Sequence, residues 1–283
     1  MQVIATPVEM QETARRIHGE GKSIALVPTM GYLHEGHLSL VDRARELGDV
    51  VAVSIFVNPT QFGAGEDLDK YPRDFERDCA MCEARGVDIV FAPTPSAMYP
   101  KDFSTWVEEC SLSLPLCGGS RPGHFKGVTT VVAKLFNIAL ADFAVFGRKD
   151  AQQALVIRRM VRDLNMPVTI DIAPLIRDAD GVALSSRNRY LSADERSRAR
   201  VISQALRRAE AALSARGAGA ALELAAGVKE AVTAAGGKVD YVEALDGDTL
   251  TEATAESRSV LIAVAAVFGS TRLIDNIFTE FKS

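Results

Sequence analysis

Apolar and polar positions along the chain follow two alternating periods. Short apolar runs rich in β-branched residues occur at 23–27, 49–58, 87–92, 142–147 and 168–174, and their length predicts buried strands. Between them, apolar residues recur at helical spacing over 6–19, 38–47, 74–85, 128–140 and 151–164. Residues 105–107 predict one further short strand. Strands alternating with helices predict an α/β fold built on a doubly wound parallel sheet. Beyond residue 176 the pattern changes. A polar loop at 184–188 precedes Ser192 and Glu195, which are spaced as a capping box at the start of a long helix. A second helix over 220–235 and strands at 239–245, 260–268 and 272–277 complete a smaller α+β domain. The expected division is 1–175 and 176–283.

The first strand leads directly into a helix through Pro28-Thr29-Met30-Gly31-Tyr32-Leu33-His34-Glu35-Gly36-His37. Gly31 permits backbone angles that other residues resist. Gly36 places no side chain between backbone and ligand. His34 and His37, three apart, share one face of the opening helical turn. A helix N-terminus adds unpaired N–H groups and about half a positive charge. This combination suits a polyphosphate. Zinc is the competing reading, but it requires a third ligand, and the remaining histidines, His18 and His124, stand in no ligand array. Asn58 to Gln61, and Lys149 with Asp150, also follow strands, at the carboxyl ends where such sheets bind ligands. The glycine-rich basic stretch 116–126 reads either as a flap over an anion or as an ordinary surface loop.

Composition narrows the function. The chain has 283 residues, 47% of them hydrophobic, enough for about two domains with sizeable cores. A net charge of -5 argues against a nucleic-acid surface, so an anionic substrate requires a local basic cluster. Residues 2–21 predict no leader, and no apolar run reaches the roughly 20 residues of a membrane span. A cytoplasmic protein without a membrane partner is expected. Cys79 and Cys82 form Cys-x-x-Cys, but within a charged helical stretch they read as ordinary reduced cysteines.

The motifs also occur together in a known order. Pro28 to Gly31, His34 to His37, Phe56 to Phe62, Gly147 to Asp150 with Gln152 and Gln153, Ser185 to Asn188, and Thr271 to Asn276 resemble the pantoate–β-alanine ligase (pantothenate synthetase) family nearly end to end. Two positions depart from the family pattern: Leu184, where Met is usual, and Arg148, where Glu or Gln is frequent. The resemblance implies a Rossmann-like nucleotidyltransferase domain that binds ATP and pantoate, with the smaller domain covering the active site. It implies that ATP lies along Met30, Gly31, Tyr32, Leu33, His34, Glu35, Gly36 and His37, along Gly147, Arg148, Lys149 and Asp150, and along Ile176, Leu184, Ser185, Ser186 and Arg187. It further implies Gln61 and Gln153 for pantoate, Gln61 and Asn58 for β-alanine, and His34, His37, Lys149 and Arg187 as the catalytic groups. Mg2+ is expected with ATP, with no dedicated metal cage, and a homodimer is implied through the N-terminal domain. Another nucleotidyltransferase, or a non-catalytic ATP-binding module, stays open on the residues alone.

Overall fold

The apolar runs of the first half pair side by side. β1 (Gln2–Ile4), β2 (Ile24–Thr29), β3 (Val50–Ile55), β4 (Ile89–Phe91), β5 (Phe143–Gly147) and β6 (Thr169–Ala173) form one parallel sheet in the order β1-β4-β3-β2-β5-β6. The computed structural model describes residues 1–63 and 65–281. α1 (Pro7–Gly19), α2 (Glu35–Leu47), α3 (Phe75–Ala84), the short α4 (Pro95–Met98) and α5 (Cys117–Ser120), α6 (His124–Ala139) and α7 (Ala151–Asp163) alternate with the strands. β2 pairs with β3 from Ile24↔Val50 to Thr29↔Ile55, and its first four residues are all buried. That burial explains its nearly continuous apolar sequence, as expected of parallel strands covered on both faces. Strand order reverses between β2 and β5, a switch point at which such sheets bind ligands. The turn carrying His34 and His37 follows β2.

Three details differ from the sequence-based expectation. Gln2–Ile4 forms an edge strand on β4 that the polar character of 2–21 concealed. Residues 105–107 form no strand. The Val107 N–H donates to Thr130 Oγ1 at 3.0 Å, and the Val107 carbonyl accepts from Thr129 Oγ1 at 2.7 Å, so hydroxyls of α6 occupy the groups that a ladder would use. α6 itself begins at His124, earlier than expected, directly after Gly123 with φ +82°.

By packing, Lys149–Ala151 and Leu114–Leu116 group with the second unit, which otherwise begins at Leu175. Its antiparallel sheet runs β7 (Lys238–Asp246), β8 (Ser259–Phe268), β9 (Thr271–Glu280). β8 is central and buried everywhere except Val267. Leu206 and Leu213 of α8 (Ala193–Arg216), Val228 and Val232 of α9 (Ala221–Ala234), and Val260, Ile262 and Val264 of β8 share one core. The capping box is present: Ser192 Oγ accepts from Glu195 N at 3.2 Å, and Glu195 Oε2 accepts from Ser192 N at 2.8 Å. Among the described residues, no helix is long and apolar enough to cross a membrane.

Candidate active site

The turn after β2 is built to present backbone. Gly31 takes φ +81°, and a Cβ there would stand 3.0 Å from Ile55 Cγ2 and 3.1 Å from Asp78 Oδ2. Thr29 Oγ1 donates to Ser54 O at 2.7 Å and accepts from Gly31 N at 3.2 Å. Asp78, buried on α3, accepts from Tyr32 N at 2.6 Å and Leu33 N at 2.7 Å. One carboxylate thus fixes the backbone immediately before the histidines.

The histidines cap α2 and each other. His34 is the N-cap, and its Nδ1 accepts from Gly36 N at 3.1 Å. His37 Nδ1 in turn accepts from His34 N at 3.4 Å, and the ring centroids lie 4.1 Å apart. With Nδ1 accepting in both rings, each neutral imidazole carries its proton on Nε2. The same turn therefore offers imidazole N–H donors together with the positive end of the α2 dipole. Glu35 is exposed and paired with Arg85 at 2.7 Å, so only its backbone suits an anion. Leu33 is buried, with the same consequence.

A second constellation in this unit surrounds Gln61, which lies in a 3-10 turn (Pro59–Gln61) after β3. Its Oε1 accepts from Asn58 Nδ2 at 3.1 Å, and its Nε2 lies 3.1 Å from Met30 Sδ. Asn58 is saturated: Nδ2 also donates to Gly127 O at 3.1 Å, and Oδ1 accepts from Tyr99 Oη at 2.8 Å and Thr60 Oγ1 at 2.9 Å. Gly127 brings the α6 backbone against this turn, since a Cβ there would approach Gln61 Cα to 2.7 Å. Arg121 and His124, from the basic stretch, are drawn inward. His124 Nδ1 lies 2.8 Å from Gln61 O, and Arg121 Nε donates to Glu66 at 2.7 Å. Gln153 is half-buried on α7, whereas its neighbour Gln152 is buried and joins Leu112 O to Cys117 N.

The remaining expected residues lie in the second unit, apart from Gly147 and Arg148, which close β5 and its following turn. Lys149 Nζ is 3.4 Å from Asp150 Oδ2. Leu184 N donates to Ile176 O at 3.1 Å, which folds 176–184 into a hairpin bridged at Arg177 and Ala183. Ser185 caps the next turn through Arg187 N at 3.3 Å, and Ser186 and Arg187 are half-buried.

Comparison with known proteins identifies the family. A family model described as pantoate-beta-alanine ligase matches residues 2–278. Pantothenate synthetase from Thermotoga neapolitana is 53% identical, with 98% of this chain and 99% of the relative covered. A pantothenate synthetase structure from Thermus thermophilus superposes with TM-score 0.91 at 44% identity, covering 98% of this chain and 99% of that one. A Francisella tularensis pantoate-beta-alanine ligase structure, complexed with beta-gamma ATP and beta-alanine, gives TM-score 0.81 at 32% identity over 98% and 97% of the two chains. The chain belongs to the pantoate–β-alanine ligase family.

For this ligase the structure adds residues that the motifs did not mark, chiefly Asp78 and Tyr99. The partners of Asp78 are backbone N–H groups, which leave no trace in sequence. Cys79 and Cys82 are free thiols, and burial pushes the Cys82 thiol up to about 12. A thiol so resistant to ionisation is a poor nucleophile.

Burial also pushes the Asp78 carboxyl above its ordinary value, against the pull of the Leu33 and Tyr32 N–H groups. Because the folded value exceeds the unfolded one, its contribution to stability is complete below the unfolded value. That contribution is lost as pH rises through the folded value. The turn, by contrast, needs the ionised form, which accepts on both oxygens. Asp78→Asn is expected to raise the KM for ATP about tenfold, on the scale of one lost charge-assisted hydrogen bond. It should also abolish the decline in melting temperature expected of the parent as pH rises through the Asp78 transition. ATP kinetics and melting curves across pH test both, and an unchanged KM refutes the bracing role.

Proposed function

We propose that this ligase joins (R)-pantoate to β-alanine with ATP through a pantoyl adenylate, releasing AMP and pyrophosphate. The observation that carries the reading is the pair of mutually capping imidazoles, each with its proton on Nε2, at the N-terminus of α2. A carboxylate is a poor acceptor for an amine. Adenylation gives it a leaving group. A pantoate oxygen attacks the α-phosphate in line, and negative charge grows on phosphorus and on departing pyrophosphate. His34 and His37 donate to that charge, and Lys149, Ser185, Ser186 and Arg187 supply further donors and positive charge. The pantoate carboxylate is already ionised, so this step needs no general base.

In the same reading, Gln61 and Gln153 hold pantoate, and Gln61 meets β-alanine. The Gln61 Oε1 is engaged by Asn58, so its amide Nε2 is the group presented to the acid. Asn58, fully bonded, orients Gln61 more readily than it contacts β-alanine. Asp150 holds the ribose and the Ile176 backbone meets adenine, as the family resemblance implies. Mg2+ accompanies ATP as part of the substrate. The enzyme works in the cytoplasm as a homodimer formed through its N-terminal domain.

The test is isotopic. Pantoate labelled with heavy oxygen in its carboxylate should transfer label to AMP and leave pyrophosphate unlabelled, as read by mass spectrometry. Release of ADP, or of unlabelled AMP, rules out the adenylate.

A further inference from the structure

Consecutive residues of a strand point to opposite faces, and on β9 Asp275 and Asn276 both reach polar partners. Both side chains are buried. Asp275 accepts twice from Arg177, Nη1 to Oδ2 at 2.6 Å and Nη2 to Oδ1 at 2.9 Å. Arg177 also donates to Gly181 O at 3.2 Å, and its backbone bridges Ala183 across the 176–184 hairpin. Asn276 uses its side chain differently. Its Nδ2 donates to the Lys149 carbonyl at 3.0 Å, while its own backbone N–H donates to Asp275 Oδ1 at 2.7 Å. The two anchors are therefore tied to each other.

A buried amide or carboxylate is costly unless paired, so apolar residues would serve packing better at both positions. What the polar pair adds is placement. We propose that Asp275 and Asn276 are positioning residues that hold the Lys149 backbone in fixed relation to the hairpin bearing Ile176 and Leu184, so that the lysine is set before ATP arrives. This rests on the reading of Lys149 as a group that stabilises phosphoryl charge. Burial raises the Asp275 carboxyl above its ordinary value, against the opposing pull of Arg177, the Asn276 N–H and Lys149.

The experiment pairs Asn276→Ala with the volume-filling Asn276→Leu, each made in the parent enzyme and in Lys149→Ala. Pantoate-dependent pyrophosphate release is the readout, with circular dichroism to confirm folding. Displacing a positioned group by a fraction of an ångström to an ångström lowers rate by about tenfold to a hundredfold. The expected result is a fall of about tenfold in kcat in the parent, an unchanged KM for β-alanine, and no further fall in the Lys149→Ala background. A full rate in a folded Asn276 variant overturns the proposal while leaving the Lys149 reading intact. So does an equal fall in both backgrounds, which is the signature of a merely structural role. A Lys149→Ala enzyme of normal rate overturns the Lys149 reading itself, and this proposal with it.

Discussion

Lys149→Ala is expected to fold normally and to lose turnover by about a hundredfold or more. Removing one donor from the site of developing charge costs on the order of 3 kcal/mol. The ammonium sits two residues beyond β5, where the chain leaves the sheet at its carboxyl end. Its contact with Asp150, at 3.4 Å, is long for an ion pair, and the Asp150 side chain is half exposed. The buried Asp275 keeps its two bonds from Arg177 when the lysine is deleted, so no buried charge is stranded and the fold survives. The loss should fall on kcat, because the charge that Lys149 meets exists fully only in the transition state. Pantoate-dependent pyrophosphate release, measured on protein whose circular dichroism matches the parent, decides the matter. Near-normal turnover would remove Lys149 from the mechanism.

His37→Ala should cost rate on a similar scale, but with a stability penalty. The imidazole has two tasks: Nε2 donates to phosphate in the proposed mechanism, and Nδ1 accepts the His34 N–H. Truncation leaves that N–H to water, and loss of a capping partner typically costs about 1 kcal/mol. A lower melting point and a rate loss of about a hundredfold are expected together. His34 and His37 share one hydrogen-bonded turn, so the double alanine variant should be less impaired than the product of the single effects. Strictly multiplicative losses would show that the two rings act independently.

Much of this was readable in the sequence, and the gaps have a common cause. Alternating strands and helices gave the parallel sheet because strands such as β2 are buried on both faces and become apolar throughout. The histidine turn stood out because glycine and two imidazoles follow a strand at once. Gln61 stood out by its place at the carboxyl end of a strand, and its role was legible only through family resemblance. Asn58 shows the limit: the family resemblance implied a β-alanine contact, while its bonds to Gln61, Gly127, Thr60 and Tyr99 became visible only in the fold. The roles of Asp78 and Asn276 stayed hidden because each serves backbone groups distant in sequence, and no spacing rule links a side chain to a remote peptide group. Val107 failed as a strand for the same reason, its peptide groups being claimed by threonines of α6.

The close approach of Gly127 to the Gln61 turn bears on how the enzyme can change. Because backbone rests on backbone there, main chain sets where the Gln61 turn sits, and Asn58 then orients the side chain. With Gln61 in its proposed role, drift that spares Asn58 and Gly127 leaves the placement of that amide untouched. A laboratory selection for a bulkier acid must first find a way to move α6 as a body.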